Sequence, residues 1–134
     1  MHDAAMTKLA SISLALCSLV GVAAADASFN DNNQTATVDC AKDPSVMIAG
    51  NNATITLTGI CDNLMVSGNG AKVTGSAKKA MVPGNNNTVD LDQVNTLAVP
   101  GNGNTVTYKK PVDAKAKKVN VSNTGNKNTV TLKK

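Results

Sequence analysis

The sequence predicts an all-β fold: a short right-handed parallel β-solenoid (β-helix) of about five coils of 16–18 residues, preceded by a signal peptide. Two observations lead to this prediction. A six-residue motif, Gly-Asn-x-Asn-Thr-Val, recurs at a nearly constant spacing, and apolar residues alternate with polar ones on both sides of each copy. Large side chains are also scarce, because Phe29 and Tyr108 are the only aromatic residues. Such a chain must build its core from small branched residues in a regular arrangement.

Residues 1–25 are predicted to be a secretory signal peptide. Lys8 precedes an apolar run over residues 9–25 that carries no charge, and this run ends in three alanines before Asp26. The run is short for a membrane span, which needs ~20 apolar residues. We therefore expect an exported protein, periplasmic or extracellular, whose mature chain begins at Asp26.

Two alternatives concern this N-terminal segment. Translation starts either at Met1 or at Met6, and the sequence does not distinguish between them. Cys17 suggests a lipoprotein anchor, but the residue before it is Leu16, where lipoprotein signals carry a small residue. We therefore disfavour anchoring through Cys17.

Residues 26–134 are predicted to form a single β-solenoid domain. The motif is intact at residues 84–89, 101–106 and 125–130, and degenerate at residues 50–55 and 68–73. The glycines that begin successive copies are separated by 18, 16, 17 and 24 residues. Residues 26–45 are predicted to be an N-terminal cap, because residues 32–35 echo the turn.

The alternation predicts which side chains point inward, and it predicts a triangular coil whose short strands pair with their equivalents ~4.8 Å above and below. The inward positions before each turn are Val46/Ile48, Leu64/Val66, Ala80/Val82, Leu97/Val99 and Val119/Val121. Those after it are Ile55/Leu57, Val73, Val89/Leu91, Val106/Tyr108 and Val130/Leu132, and a third set is Ile60, Ala77, Val94 and Val112.

The turns have their own chemistry. In Pro83-Gly84 and Pro100-Gly101, proline fixes φ at the first central position of a type II turn, and glycine is expected to supply the positive φ of the second. The asparagine that follows each glycine recurs once per coil and is expected to stack into a ladder along the axis. These asparagines are Asn51, Asn69, Asn85, Asn102 and Asn126.

Cys40 and Cys61 are predicted to form a disulfide. They lie 21 residues apart, about one coil plus a small insertion. Residues one coil apart are neighbours at ~4.8 Å, which is inside the Cα–Cα range of a disulfide. Export from the cytoplasm permits the bond.

The enlarged fourth repeat contains a lysine-rich loop over residues 109–118, which we expect to leave the stack. Its lysines are Lys109, Lys110, Lys115, Lys117 and Lys118. One interpretation is contact with anionic envelope components such as lipid head groups or cell-wall polymers. The alternative is a solubilising loop that protects a strand edge.

Catalysis and cofactor binding are poorly supported by the composition. The chain has no Glu, and its one His, His2, lies in the predicted signal peptide. The carboxylate pair Asp90 and Asp92 is expected on the solvated face of a strand. The turns carry neutral Asn where calcium-binding β-rolls carry Asp, and a zinc site lacks ligands. Nucleic-acid binding is disfavoured because aromatic platforms are lacking. We expect no enzyme activity, no cofactor and no metal site.

A second functional hypothesis comes from outward threonines. Thr54/Thr56, Thr105/Thr107 and Thr129/Thr131 share a face whose other rungs are Lys72/Thr74 and Thr88/Asp90. Flat Thr-x-Thr arrays on β-solenoids resemble those of ice-binding proteins. Threonine is also common on exposed strands because it is β-branched.

The combined pattern resembles bacterial domain-of-unknown-function family 3060. Its parts are a signal peptide, two cysteines flanking the pattern V-x-I-x-G-N-N-x-T-I-T-L-T-G-x-C, and the repeated motif. The resemblance covers about residues 38–132 and implies a small exported β-rich domain without established activity or catalytic residues.

The function predicted from the sequence is therefore a non-enzymatic structural or interaction module of the bacterial envelope or secreted space. End-to-end self-association is a further expectation, because solenoid ends are unpaired edges. The alternatives are an ice- or surface-binding protein and a polysaccharide-acting enzyme, and the latter is disfavoured because acidic clefts and long loops are missing.

Overall fold

The computed structural model describes residues 26–133, and within them every regular element is a β-strand. The strands are β1 (Asp26–Phe29), β2 (Thr35–Asp39), β3 (Ser45–Ile48), β4 (Thr54–Val66), β5 (Lys72–Met81), β6 (Thr88–Ala98), β7 (Thr105–Lys110), β8 (Asn120–Ser122) and β9 (Thr129–Leu132). All strand pairings are parallel. No helix in this range is long and apolar enough to cross a bilayer. The predicted signal peptide lies outside the described residues.

Successive coils stack as a solenoid of about five turns, which confirms the predicted fold. One strand segment of each coil follows the Gly-Asn turn, a bend reverses the chain, and a second segment leads to the next turn. β4 and β5 run through this bend, where Gly59 and Gly75 have φ of 75° and 147°. The third side of the coil is the Gly-Asn turn. Turns of successive coils are joined by isolated β-bridges from Asn69 to Asn85 and from Asn85 to Asn102.

The predicted N-terminal cap is an additional, smaller coil. β1 pairs with β3 and β2 pairs with β4 in unshifted register. The Phe29 carbonyl accepts hydrogen bonds from the backbone N–H groups of Ala49 and Gly50. Residues 26–39 thus satisfy the strand edge that the first full repeat would otherwise expose to solvent.

The core consists of columns of aliphatic side chains that repeat from coil to coil. In one column Val46, Leu64, Ala80 and Leu97 face inward and are all nearly inaccessible to solvent. The column is less complete at the C-terminal end, where Val121 is half-buried. In a second column Leu132, which is in register with Tyr108, is 52% exposed. The C-terminal coil therefore leaves inward-facing apolar side chains partly uncovered.

One predicted inward position and one predicted alignment are wrong. Ile60 is 39% exposed, and Cys61 takes the inward place in register with Ala77. The reason is a register shift at the left-handed Gly59: the four-residue step from Thr56 to Ile60 faces only the two-residue step from Thr74 to Ser76, which brings Cys61 and not Ile60 into register with Ala77.

The other error is in the last coil. Leu97 pairs with Val121, so the predicted alignment of Val119 with Leu97 is displaced by two residues. Val119 is nevertheless buried. The inserted loop before β8 sets this register.

The role predicted for the motif glycines is also wrong. Left-handed φ occurs at the third motif position and not at the first: the residues are Asn33, Asn52, Gly70, Asn86, Gly103 and Lys127. Gly84 and Gly101 are required by close approach instead. A Cβ on Gly84 would overlap the carbonyl oxygen of Gly68, and one on Gly101 would overlap that of Gly84.

The third motif position alternates between Asn and Gly because the side chains there stack. A Cβ on Gly70 would lie 2.5 Å from Oδ1 of Asn52, and one on Gly103 would lie 2.6 Å from Oδ1 of Asn86. Glycine in every second coil therefore leaves room for the asparagine side chain of the coil before it.

The predicted outer asparagine ladder is present, with one interruption. Asn51 Oδ1 accepts from the backbone N–H of Asn69 at 3.3 Å, and Asn85 Oδ1 accepts from that of Asn102 at 3.2 Å. Asn102 Oδ1 accepts from the N–H of Asn126 at 3.0 Å. Between Asn69 and Asn85 the step is made by the backbone, because the N–H of Asn85 donates to the carbonyl of Gly68.

A second, buried asparagine ladder was not predicted. Asn87 and Asn104 at the fourth motif position point inward and are each 1% exposed. Their Nδ2 groups donate to the carbonyls of Gly68 and Gly84 at 3.0 and 2.9 Å. Their Oδ1 atoms accept backbone N–H groups of the preceding coil, and Asn128 continues the pattern. Each side chain thus satisfies two buried backbone groups.

Cys40 and Cys61 are paired between the first two coils, with their Cα atoms 4.8 Å apart. Both are buried, and the N–H of Cys40 donates to the carbonyl of Thr58 at 3.0 Å. The one-coil spacing predicted from the sequence is therefore confirmed. The pair attaches the end of β2 to the bend of β4.

Candidate functional site

The lysine-rich loop leaves the stack where the repeat is enlarged. β7 ends at Lys110 and the chain rejoins the sheet in β8. The loop is held to the coil beneath it by Asn95, whose Oδ1 accepts from the N–H of Asp113 at 2.9 Å. Asp113 closes a turn of its own, because its carboxylate accepts from the N–H of Lys115 at 2.9 Å. The loop is thus an anchored projection.

The structure places the five predicted lysines in two groups. Lys109 and Lys110 lie at the end of β7, and Nζ of Lys109 is 3.8 Å from Asp92 Oδ1. Residues 115, 117 and 118 lie in the loop and are exposed. The loop therefore presents cationic side chains to solvent, while Lys109 is partly compensated.

The two candidate carboxylates serve different lysines. Asp90 accepts hydrogen bonds from Lys133 Nζ at 2.8 Å and from Thr107 Oγ1 at 2.9 Å. The hydrogen bond from Lys133 is the main reason that the pKa of Asp90 is lowered from its ordinary value of 3.8, and burial opposes it. Asp92 faces Lys109. Nothing in this arrangement pairs the two carboxylates for acid–base chemistry.

The threonine face is longer than the sequence suggested. Register adds Thr35 and Thr37 as a sixth rung before Thr54 and Thr56. Ten of the twelve positions in the two aligned columns are threonine, and the exceptions are Lys72 and Asp90. The two columns are continuous because every step along them is an unshifted parallel pairing.

A groove lies on the outside of the sheet formed by β1, β3, β4 and β5. Its volume is about 340 Å³, and its floor carries the side chains of Met47, Met65 and Met81. Met47 and Met81 are 44% and 38% exposed, and Met65 is half-buried. These residues occupy one register column, since Met47 pairs with Met65 and Met65 with Met81.

Sequence reasoning missed this methionine column although its signal was available. The methionines are separated by 18 and 16 residues, which are the same steps as those between the motif glycines of these coils. Comparing those spacings would have placed the three side chains above one another. Within residues 26–133, no three residues of the types His, Cys, Asp and Glu gather as a metal-binding group.

Comparison with known proteins identifies the family. The model of the family described as "Protein of unknown function (DUF3060)" matches residues 48–77 and 69–125, which together are more than half of the chain and include β4 to β7. No curated protein and no solved structure matches the chain. The match confirms the resemblance recognised in the cysteine-flanked pattern and the repeats. The chain belongs to the DUF3060 family of proteins of unknown function.

Proposed function

We propose that the protein is a non-enzymatic interaction module of the bacterial envelope or secreted space, and that it contacts anionic envelope material through the lysine loop. The observation that carries the proposal is the construction of this loop. It is the place where the repeat is broken, it is anchored through Asn95 and Asp113, and it presents Lys115, Lys117 and Lys118 to solvent.

The charge of the loop supports this role more than that of a solubilising edge. Asp113 is the carboxylate within the loop, and its oxygen is already used by the loop's own turn. The protein has a formal net charge of +4, which favours approach to anionic surfaces. Export is supported by the Cys40–Cys61 pair, because disulfides persist in oxidising compartments.

The test is binding to vesicles with and without anionic lipid, and to an anionic cell-wall polymer. The variant replaces Lys115, Lys117 and Lys118 with Ala, and we expect it to bind about two orders of magnitude more weakly, at ~1 kcal/mol per lysine near the surface. A matched control removes the same charge elsewhere, with Lys42→Ala, Lys72→Ala and Lys127→Asn. Asn is chosen at the last position because residue 127 has a φ of 60°.

The binding of the loop variant is compared with that of the control variant. Weakened binding in the loop variant, but not in the control, supports the loop as the contact. Equal weakening in both variants would mean that binding depends on net charge and not on the loop. Unchanged binding in the loop variant would show that the loop is not the contact. The vesicle and polymer arms then distinguish lipid from cell-wall material.

A second candidate function is binding of ice or another ordered surface through the threonine face. The observation that favours it is the six-rung array with ten threonines in register. The substitutions Lys72→Thr and Asp90→Thr complete both columns, so they should increase thermal hysteresis if the face binds ice. Replacing Thr56 and Thr105 with Lys should abolish it. Absence of ice shaping in both the wild type and the completed variant excludes this function.

A further inference from the structure

The methionine column is unusual because it places apolar sulfur side chains outward. Methionine is among the residues most often buried, yet Met47 and Met81 are exposed on a strand face whose inward neighbours, such as Leu64, already fill the core. Five methionines occur in the chain, and all three that follow residue 25 fall in this column. Core packing does not explain their placement.

We propose that Met47, Met65 and Met81 form a binding site for a soft monovalent metal ion, Cu(I) or Ag(I). Thioether sulfur is a soft ligand, and soft ligands select Cu(I) over hard and borderline ions. The three side chains share one groove of about 340 Å³ that is open to solvent. The ion would be held by two or three thioether sulfurs. Because these ligands are neutral, the site with its ion would carry the ion's single positive charge.

The solenoid spacing suits such a site. Parallel strands set the Cα atoms of Met47 and Met65, and of Met65 and Met81, ~4.8 Å apart. A zinc–sulfur bond of ~2.3 Å gives the scale of such contacts, and two sulfurs on one ion at that distance are separated by at most ~4.6 Å. The three rotatable bonds of methionine allow the sulfurs to converge from that ladder. Met65 lies between Met47 and Met81, so its sulfur can bind the same ion as that of either neighbour.

Elsewhere in residues 26–133, few side chains would compete with the methionines as ligands for a soft cation. The cysteines at 40 and 61 are paired, and the single histidine of the sequence is His2. Lys79 lines the same groove and is exposed. The carboxylate of Asp26 also lines the groove and offsets the charge of Lys79, so the preference for Cu(I) and Ag(I) rests on the soft thioether ligands.

The experiment titrates Ag(I) into the purified full-length protein in chloride-free buffer, followed by calorimetry and by NMR of methyl-labelled methionine. Silver needs no reductant, so the disulfide remains intact during the titration. Beyond any Ag(I) taken up by Met1, Met6 or Cys17, we expect one Ag(I) to bind at the column, with the methyl signals of Met47, Met65 and Met81 shifting together. Affinity should be unchanged between about pH 5 and pH 7.5, because a thioether has no proton to lose, whereas carboxylate and imidazole ligands titrate at or near this range.

Three variants make the test specific. Met65→Leu preserves the side-chain volume and should weaken binding about tenfold or more. Replacing all three methionines with Leu should remove this binding phase. The matched control adds Ile60→Met and Leu132→Met to the triple variant, which returns exposed methionines outside the column and should not restore binding.

The outcomes decide the proposal. Because Met1, Met6 and Cys17 are the same in all these proteins, any binding at those residues cancels in the comparison. Retention of the binding phase in the triple Leu variant overturns the site, as does restoration by the displaced methionines. A change of oligomeric state in the triple variant without a change in Ag(I) binding overturns it in favour of a contact between copies of the chain.

Discussion

Asn87 and Asn104 lie one coil apart and are joined by a hydrogen bond of 2.9 Å, from the backbone N–H of Asn87 to Oδ1 of Asn104. Asn104 also donates from Nδ2 to the carbonyl of Gly84 at 2.9 Å. Both asparagine side chains are excluded from solvent. The inner ladder therefore supplies hydrogen-bond partners to backbone groups at the Gly-Asn turn, between the strands of the coil.

The substitution Asn104→Ala should lower the free energy of unfolding by about 2–3 kcal/mol, because it leaves a buried N–H and a buried carbonyl without partners. Alanine fits sterically at this motif position, since Ala53 and Ala71 occupy it in the degenerate copies. The measurement is urea unfolding followed by circular dichroism. The control is Asn102→Ala in the exposed outer ladder, for which a loss below about 1 kcal/mol is expected. Equal losses in both variants would contradict a special role for the inner ladder.

The glycine column makes a second prediction. Gly101→Ala should destabilise the protein by about 3 kcal/mol or more, since its Cβ would overlap the carbonyl oxygen of Gly84 and two adjacent coils would have to separate. Gly103→Ala tests a different cost, because Gly103 has a φ of 66°. We expect about 1–2 kcal/mol there from left-handed strain, together with crowding of Asn86. Unfolding midpoints of the two variants give the comparison, with Pro100→Ala at an exposed position as the control, for which we expect a loss of only about 0.4–1 kcal/mol.

These two positions show what could and could not be predicted from the sequence. The period, the inward aliphatic pairs and the cysteine pairing follow from spacing alone, because a stacked coil maps each residue onto its equivalent in the next coil. The reason for glycine did not follow. Both a left-handed turn and a close contact with a carbonyl oxygen require glycine, so a single copy of the motif does not reveal which of the two applies. The structure does, because Gly101 stacks directly on the carbonyl oxygen of Gly84.

Register errors had a similar origin. Ile60 was predicted as the apolar member of the third inward set, but the two extra residues at Gly59 bring Cys61 into register with Ala77 and leave Ile60 exposed. In the last coil the inserted loop concealed that Val121 belongs opposite Leu97. For the candidate sites, the loop lysines were found as a charge cluster, whereas the methionine column was missed because its members are far apart in sequence.

The disulfide makes a third prediction. Alanine is compatible with the stack at the position of Cys61, because Ala77 occupies the same column one coil later. The double variant Cys40→Ala/Cys61→Ala should therefore lose roughly 3 kcal/mol, chiefly through the chain entropy of the unfolded state. Hydrogen exchange should show lost protection in β1 and β2 while β5 and β6 stay protected. Uniform loss of protection throughout the stack would show that the solenoid unfolds only as a whole. Chemical reduction of the wild type is the matched control.

The contact between Asp90 and Lys133 makes the last prediction, which concerns pH. The pKa of Asp90 is lowered in the folded state, mainly by the hydrogen bond from Lys133. The stabilisation that the ionised Asp90 contributes is therefore fully present above its unfolded-state pKa of 3.8. It is lost as the pH falls through the lower pKa of the folded state. The carboxylate is 43% exposed, so solvent screening limits the contribution to about 0.5–1 kcal/mol at neutral pH. Lys133→Ala should show that deficit in the free energy of unfolding at pH 7, and the wild type and the variant should converge once the pH has fallen below the lowered folded-state pKa of Asp90. A deficit that persists in acid would mean that Lys133 stabilises β9 by packing, and the variant Lys133→Met, which keeps the aliphatic chain without the charge, separates the two causes.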